Sequence, residues 1–291
     1  SCGEGAISTK AITVNPLPTV AGTITGPTTV YQGQTAVTYT VPVIANATSY
    51  VWTLPPGATG SSTTNSITID FGLTAASGYI RVKGVNSCGE GQTSQMVIYV
   101  NQLPAAAGTI YGRTEVCQGE TSITYYVSHV NYATSYIWTL PDGATGTSST
   151  NSITVDYSMT AVSGDITVRG VNSYGEGAVS TQAITVNQFP AAAGIISGPD
   201  TVCQGDTVIY SVPEIAHATS YFWTLPNSGF DVTETNSITV IYGMGVSSGN
   251  LSVEGTNSCG QGTVSSKLIT INLLPVAVGI ISASKIGVVC Q

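Results

Sequence analysis

Apolar and polar residues alternate along short stretches of the chain, and Gly, Ser, Thr and Pro fill the gaps between them. The clearest stretch is Thr134-Ser135-Tyr136-Ile137-Trp138-Thr139-Leu140-Pro141, where Tyr, Trp and Leu alternate with Ile, Thr and Pro. A period of two marks a strand with one face turned to a core. The stretch occurs three times, at 48–55, 134–141 and 219–226, which sets Trp52, Trp138 and Trp223 apart by 86 and then 85 residues. The chain is therefore a tandem repeat, and the inward phase assigns the three tryptophans to its cores.

The remaining elements are phased from this strand. In the middle copy the pattern predicts a first strand at 108–111 and a turn containing Val116-Cys117-Gln118-Gly119. A second strand follows with Ile123, Tyr125 and Val127 inward, then the Trp138 strand and a loop rich in Gly, Ser and Thr. Three more strands point Ile153/Val155, Ile166/Val168 and Ile184/Val186 inward, and Val37/Tyr39/Val41 and Val208/Tyr210/Val212 repeat the second strand elsewhere. No helical periodicity of useful length interrupts them. Each copy reads as six or seven strands in two packed sheets, an all-β sandwich.

Whole units run over 17–101, 102–187 and 188–272. Residues 1–16 match the closing strand of a preceding unit and 273–291 the start of a following one, as expected of a piece of a longer array. The junctions Asn101-Gln102-Leu103-Pro104, Asn187-Gln188-Phe189-Pro190 and Asn272-Leu273-Leu274-Pro275 are short, and proline stiffens them. Consecutive units are expected to stack end to end into a rod, on the order of 110 Å for three units of roughly 35–40 Å.

Composition narrows the function. Only 8% of residues are charged and the net charge is −8, with seven Lys+Arg spread along the chain. Nucleic acid, which needs clustered cations, is excluded as a partner. No apolar run approaches the ~18 residues of a membrane span, so no membrane insertion of this segment is expected, and no leader pattern opens the chain. Six cysteines without a C-x-x-C pair fit an oxidising compartment better than a metal site.

Val116-Cys117-Gln118-Gly119, Tyr136-x-Trp138-x-Leu140-Pro141 and Asn86-Ser87-Cys88-Gly89-Glu90-Gly91, at fixed spacing over essentially the whole chain, resemble the PKD-like, immunoglobulin-like repeats of very large Bacteroidetes surface proteins. The gliding-motility adhesins exported by the type 9 secretion system are the nearest comparison. The resemblance implies tandem immunoglobulin-like (PKD-like) β-sandwiches at the cell surface, in a protein anchored at the outer membrane. They would serve as stalk repeats that space a distal adhesive element from the cell and bear force. The alternative is that each repeat is a binding module for surface glycans or another protein, acting through exposed loops. The chain departs from the usual PKD pattern, since Trp138-Thr139-Leu140-Pro141-Asp142-Gly143 stands where that family has Trp-Asp-Phe-Gly-Asp-Gly, so no calcium or carbohydrate role carries over. Asp200-Thr201-Val202 and Asp206-Thr207-Val208 resemble the O-glycosylation acceptor of the same phylum, which makes Thr201 and Thr207 candidate modified residues.

The cysteines occupy two repeat positions. One, in the turn before the second strand, holds Tyr31, Cys117, Cys203 and Cys290; the other, in the turn after the Ile166/Val168 strand and its equivalents, holds Cys2, Cys88, Tyr174 and Cys259. A bridge inside each unit would pair Tyr31 with Cys88 and Cys117 with Tyr174. In an immunoglobulin-like sandwich the two turns also lie at opposite poles, beyond the ~7 Å between Cα atoms that a disulfide tolerates. End-to-end stacking brings the first turn of one unit against the second turn of the next. That register predicts an interdomain disulfide Cys117–Cys259 and an interdomain Tyr31–Tyr174 contact, and leaves Cys2, Cys88, Cys203 and Cys290 for neighbouring repeats. The alternative is free thiols.

No other residues assemble a chemistry. His129 and His217 sit in non-equivalent loop positions without partners, and Ile241 replaces the Asp70/Asp156 position. Glu4, Glu90 and Glu176 recur between glycines whose expected role is positive φ in a turn. There is no nucleophile elbow, phosphate loop or zinc spacing. The expectation is a non-enzyme with no cofactor and no metal, whose main partners are neighbouring repeats of its own chain.

Overall fold

The computed structural model describes residues 2–275; Cys290 lies outside the described residues. The first repeat contains β1 (Thr29–Tyr31), β2 (Val37–Thr40), β3 (Ser49–Thr53), β4 (Ala58–Thr59), β5 (Ser66–Phe71), β6 (Gly78–Asn86), β7 (Gly89–Glu90) and β8 (Ser94–Asn101). The middle repeat contains β9 (Glu115–Cys117), β10 (Ile123–Tyr126), β11 (Ser135–Thr139), β12 (Ala144–Thr145), β13 (Ser152–Tyr157), β14 (Gly164–Asn172), β15 (Gly175–Glu176) and β16 (Ser180–Asn187). The third contains β17 (Thr201–Cys203), β18 (Thr207–Ser211), β19 (Ser220–Thr224), β20 (Phe230–Thr233), β21 (Ser237–Ile241), β22 (Gly249–Asn257), β23 (Gly260–Gln261) and β24 (Ser265–Asn272).

In the first two repeats one sheet has the order β1-β8-β6-β3 or β9-β16-β14-β11, and the other has β2-β5-β4 or β10-β13-β12. Alternation fills the space between the sheets as the sequence predicts. Tyr39, Val41, Ile67, Ile69, Ile80, Val82, Ile98 and Val100 form the first core, and Tyr125, Val127, Ile153, Val155, Ile166, Val168, Ile184 and Val186 the second. Gly84, Gly170 and Gly255 on the sixth strands leave room for Pro18, Pro104 and Pro190, since a Cβ there would come within 3.1 Å of each proline ring.

Three expectations change. Val116 and Cys117 are strand rather than turn: β9 pairs in parallel with β16, Val116 opposite Val186 and Cys117 opposite Asn187, and the turn begins at Gln118. The segment predicted as a first strand at 108–111 contributes a single bridge, Tyr111 to Tyr126, on the opposite sheet. The chain thus crosses from one sheet to the other between 111 and 115. Residues 2–16, matched to a closing strand, carry no regular secondary structure here, and Ile7, Ile12 and Val14 are exposed.

The tryptophans also divide. Trp52 and Trp138 are partly buried against their cores, because β3 and β11 are edge strands, and their indole N–H groups donate to Thr64 O and Thr150 O. In the third repeat the segment after the tryptophan strand changes sheets. Instead of pairing with β21 as β4 pairs with β5, β20 pairs with β19, covers that edge and leaves Trp223 fully buried. Its indole N–H is sealed from solvent without an acceptor.

Candidate functional site: the junctions between repeats

The parallel pairs β1–β8, β9–β16 and β17–β24 set Tyr31, Cys117 and Cys203 beside Asn101, Asn187 and Asn272, where the chain leaves each repeat. The sixth strands run the other way and end at Asn86, Asn172 and Asn257, at the pole where the chain arrives. A two-residue hairpin follows, with Cys88, Tyr174 and Cys259 at its turn.

Across the second junction Cys117 and Cys259 are joined by a disulfide with a Cα–Cα distance of 5.6 Å and a sequence separation of 142. Across the first, the Tyr31 and Tyr174 rings stack with centroids 6.3 Å apart and planes at 25°. Cys2, Cys88 and Cys203 are exposed free thiols.

The asparagine that ends each sixth strand is a clamp that the sequence reading passed over. Asn172 Nδ2 donates to Gln102 O and to Tyr132 O, both at 2.9 Å, while its Oδ1 accepts from Tyr174 N–H. Asn86 and Asn257 make the same bonds to Pro16 O and Asn46 O, and to Gln188 O and His217 O. One side chain therefore ties linker, loop and turn together. Asn46, Tyr132 and His217 all adopt positive φ at this site, so it is their carbonyl that is used and their side chains are free to vary. His217 is thus an exposed loop residue held by its backbone, and His129 is exposed one loop position before the buried Val130.

Glutamine braces the opposite pole. Gln32 Oε1 accepts from Leu103 N–H of the linker at 3.1 Å and its Nε2 donates to Ala75 O, and Gln118 Nε2 donates likewise to Ala161 O. Beyond the linker, Ala105 N–H reaches Asn131 O and Ala191 N–H reaches Ala216 O.

The two glycines of the Gly-Glu-Gly turn have different causes. Gly89, Gly175 and Gly260 have positive φ, as expected, but Gly91, Gly177 and Gly262 do not. These three are glycine because a Cβ would meet the linker: at Gly177 it would stand 2.6 Å from Pro104 O. The glutamates between them are ion-pair partners on the same hairpin, Glu90 with Lys83 and Glu176 with Arg169, the latter at 2.8 Å. In the third repeat Gln261 faces a strand carrying Glu254, so both charges have changed together. Glu4 lies in the exposed segment 2–16. Asp70 and Asp156, next to last in their strands, are turn acceptors, each taking the N–H of a positive-φ residue, Ala36 or Ser122, at 2.7 Å. Thr201 and Thr207 are exposed at the starts of β17 and β18.

Two-sheet sandwiches with these strand orders, arranged in tandem, define an immunoglobulin-like repeat protein. The profile of the PKD-like domain matches residues 17–98, 103–186 and 189–269, and the chain belongs to that family, a non-enzymatic class of domain. Comparison with curated proteins finds no match. Among solved structures, the I-band fragment I67–I69 from titin is 14% identical with a TM-score of 0.44, over 89% of this chain and 97% of that one. The full ectodomain of mouse nectin-like molecule 4 is 15% identical with a TM-score of 0.40, over 87% and 99%. Among the described residues no helix is long and apolar enough to cross a membrane.

Proposed function

We propose that these repeats are stalk units of a large extracellular surface filament, holding a distal adhesive element away from the cell and bearing force. The mechanical units are 17–101, 102–187 and 188–272. The observation that carries the reading is the bracing of both junctions. Each is closed by a contact between the strand beside the chain's exit and the hairpin turn that follows the sixth strand of the next repeat, a disulfide in one and a tyrosine stack in the other. Asn172 and Gln32 hold the intervening linker on both sides. A bead-on-string binding array has no use for such bracing. Cys2, Cys88, Cys203 and Cys290 then serve neighbouring repeats, and exposed Thr201 and Thr207 are open to O-glycosylation. Together with the sequence motifs this supports a gliding-motility adhesin of a Bacteroidetes cell, exported by the type 9 secretion system and anchored at the outer membrane.

Small-angle scattering of the oxidised chain tests the reading. A rod with a maximum dimension on the order of 110 Å or more is expected, whereas a distribution of bent shapes counts against it. A second reading, the repeat as a glycan-binding module, is favoured by one feature: a cleft of about 360 Å³ at the first junction, lined by Tyr132 and Tyr174 with Asn101 and Gln102. A glycan-array signal abolished by Tyr132→Ala would support that reading over the stalk.

A further inference from the structure

The Cys117–Cys259 bridge does more than stiffen. Between its two sulfurs the chain passes through β10–β16 of the middle repeat and β17–β22 of the third, with a sequence separation of 142. Tension along the chain therefore has two covalent routes from 117 to 259, one through the whole backbone of 118–258 and the other across a single S–S bond. The second is far shorter and becomes taut first.

We infer that the second junction is a covalent load bypass, in which the bridge carries force past the bodies of the middle and third repeats. The inference rests on the stalk reading for its use and on the bridge for its operation. Only 102–117 and 259–275 remain in line with the load. The first of these runs from the linker at one pole to the end of β9 at the other, and the second contains β24, which crosses its repeat in the same sense. They hold only 16 and 17 residues, so even at full stretch they reach no more than about 55 and 60 Å and have little length to give. The two repeats keep their length under load even where their hydrogen bonds would otherwise yield.

The first repeat has no such protection. Its β1 ends at Tyr31, whose contact with Tyr174 is noncovalent, so force that enters at residue 17 and leaves at 101 crosses the whole sandwich. There it acts as shear on the parallel pair β1–β8, where Thr29, Val30 and Tyr31 lie opposite Tyr99, Val100 and Asn101. The chain thus joins one extensible repeat to two inextensible ones, and the difference lies in a single pair of equivalent positions.

The test is single-molecule pulling of the full chain from its ends, with and without a thiol reductant, on material whose disulfides have been mapped. In the bridged chain, unfolding of the first repeat is expected as the one large extension. Reduction should add about 480 Å, from 142 residues at about 3.4 Å each. The Cys117→Ser/Cys259→Ser double variant should show the same added length without reductant. Equal extension of mapped, bridged chain in both conditions overturns the bypass, as does mapping that joins Cys117 elsewhere. Neither outcome bears on rod shape, which scattering reads separately, so the stalk and the bypass stand or fall independently.

Discussion

Two hydroxyl groups meet in the core of the middle repeat: Tyr125 and Tyr157 share a hydrogen bond of 2.8 Å, as Tyr210 and Tyr242 do at 2.9 Å in the third. The first repeat solves the same problem differently, with Phe71 in place of the second tyrosine and Tyr39 OH donating to Pro27 O at 2.9 Å. Arg113 stands in the middle repeat where the first has Pro27, so its carbonyl is the expected acceptor for Tyr125 once Tyr157 is lost, and Tyr157 has no such equivalent. Tyr157→Phe is expected to cost about 1 kcal/mol or less. Tyr125→Phe, which strands a buried hydroxyl, should cost about 1–3 kcal/mol in denaturant titrations. Burial also pushes the Tyr39 hydroxyl from 10.0 up to about 12, and burial first of all raises Tyr125, Tyr157, Tyr210 and Tyr242 as well. Below pH 10 these phenols are neutral whether the chain is folded or not. Above it the unfolded chain ionises first, so folded stability should fall as pH rises from about 10 to about 12. Tyrosinate absorbance and far-UV dichroism should then change together; phenol ionisation that ran well ahead of unfolding would show these side chains to be accessible.

At the scale of strands, the asparagine clamp has the largest local effect. Asn172→Ala removes two donors and an acceptor that fix linker, loop and turn. It should lower the stability of the middle repeat by about 2 kcal/mol, whereas Asn151→Ala, at a site away from the linker, should leave junction dimensions unchanged in scattering. The inward strands were legible because burial on one face of a sheet imposes a period of two, and Ile166/Val168 or Ile184/Val186 display it. The strand β9 was not, because a three-residue element with one buried side chain, Val116, has no period to show. The partners of β4 and β20 were equally hidden, since the choice of sheet depends on which edge is open and not on the segment's own pattern. The clamp could have been found: an asparagine ends the sixth strand in all three copies, at 86, 172 and 257. So could the ion pairs, where Lys83 with Glu90 and Arg169 with Glu176 change together to Glu254 with Gln261.

For the molecule as a whole, the two junctions occupy one register with different chemistry. The poles of a sandwich and the direction of its strands suffice to say which positions face each other across a junction, and the same two pairs, Cys117 with Cys259 and Tyr31 with Tyr174, stand in contact in the structure. The nature of the contact at each follows only from the residue that fills the position. The double variant Tyr31→Cys/Tyr174→Cys is therefore expected to form a bridge across the first junction under mild oxidation, detectable by non-reducing peptide mapping. With it in place, the first repeat should lose its share of the extension seen on pulling. Either single variant should leave that extension intact.

The placement of the few ion pairs has a further bearing on how the junctions respond to salt. Lys83–Glu90, Arg113–Glu120 and Arg169–Glu176 each lie within a single repeat, and among the described residues none spans a junction. What holds neighbouring repeats in line is a disulfide, an aromatic stack and hydrogen bonds of neutral amides, none of which is weakened by a shrinking Debye length. The placement of neighbouring repeats should therefore be the same in dilute buffer and in concentrated salt, which scattering at the two ionic strengths would read.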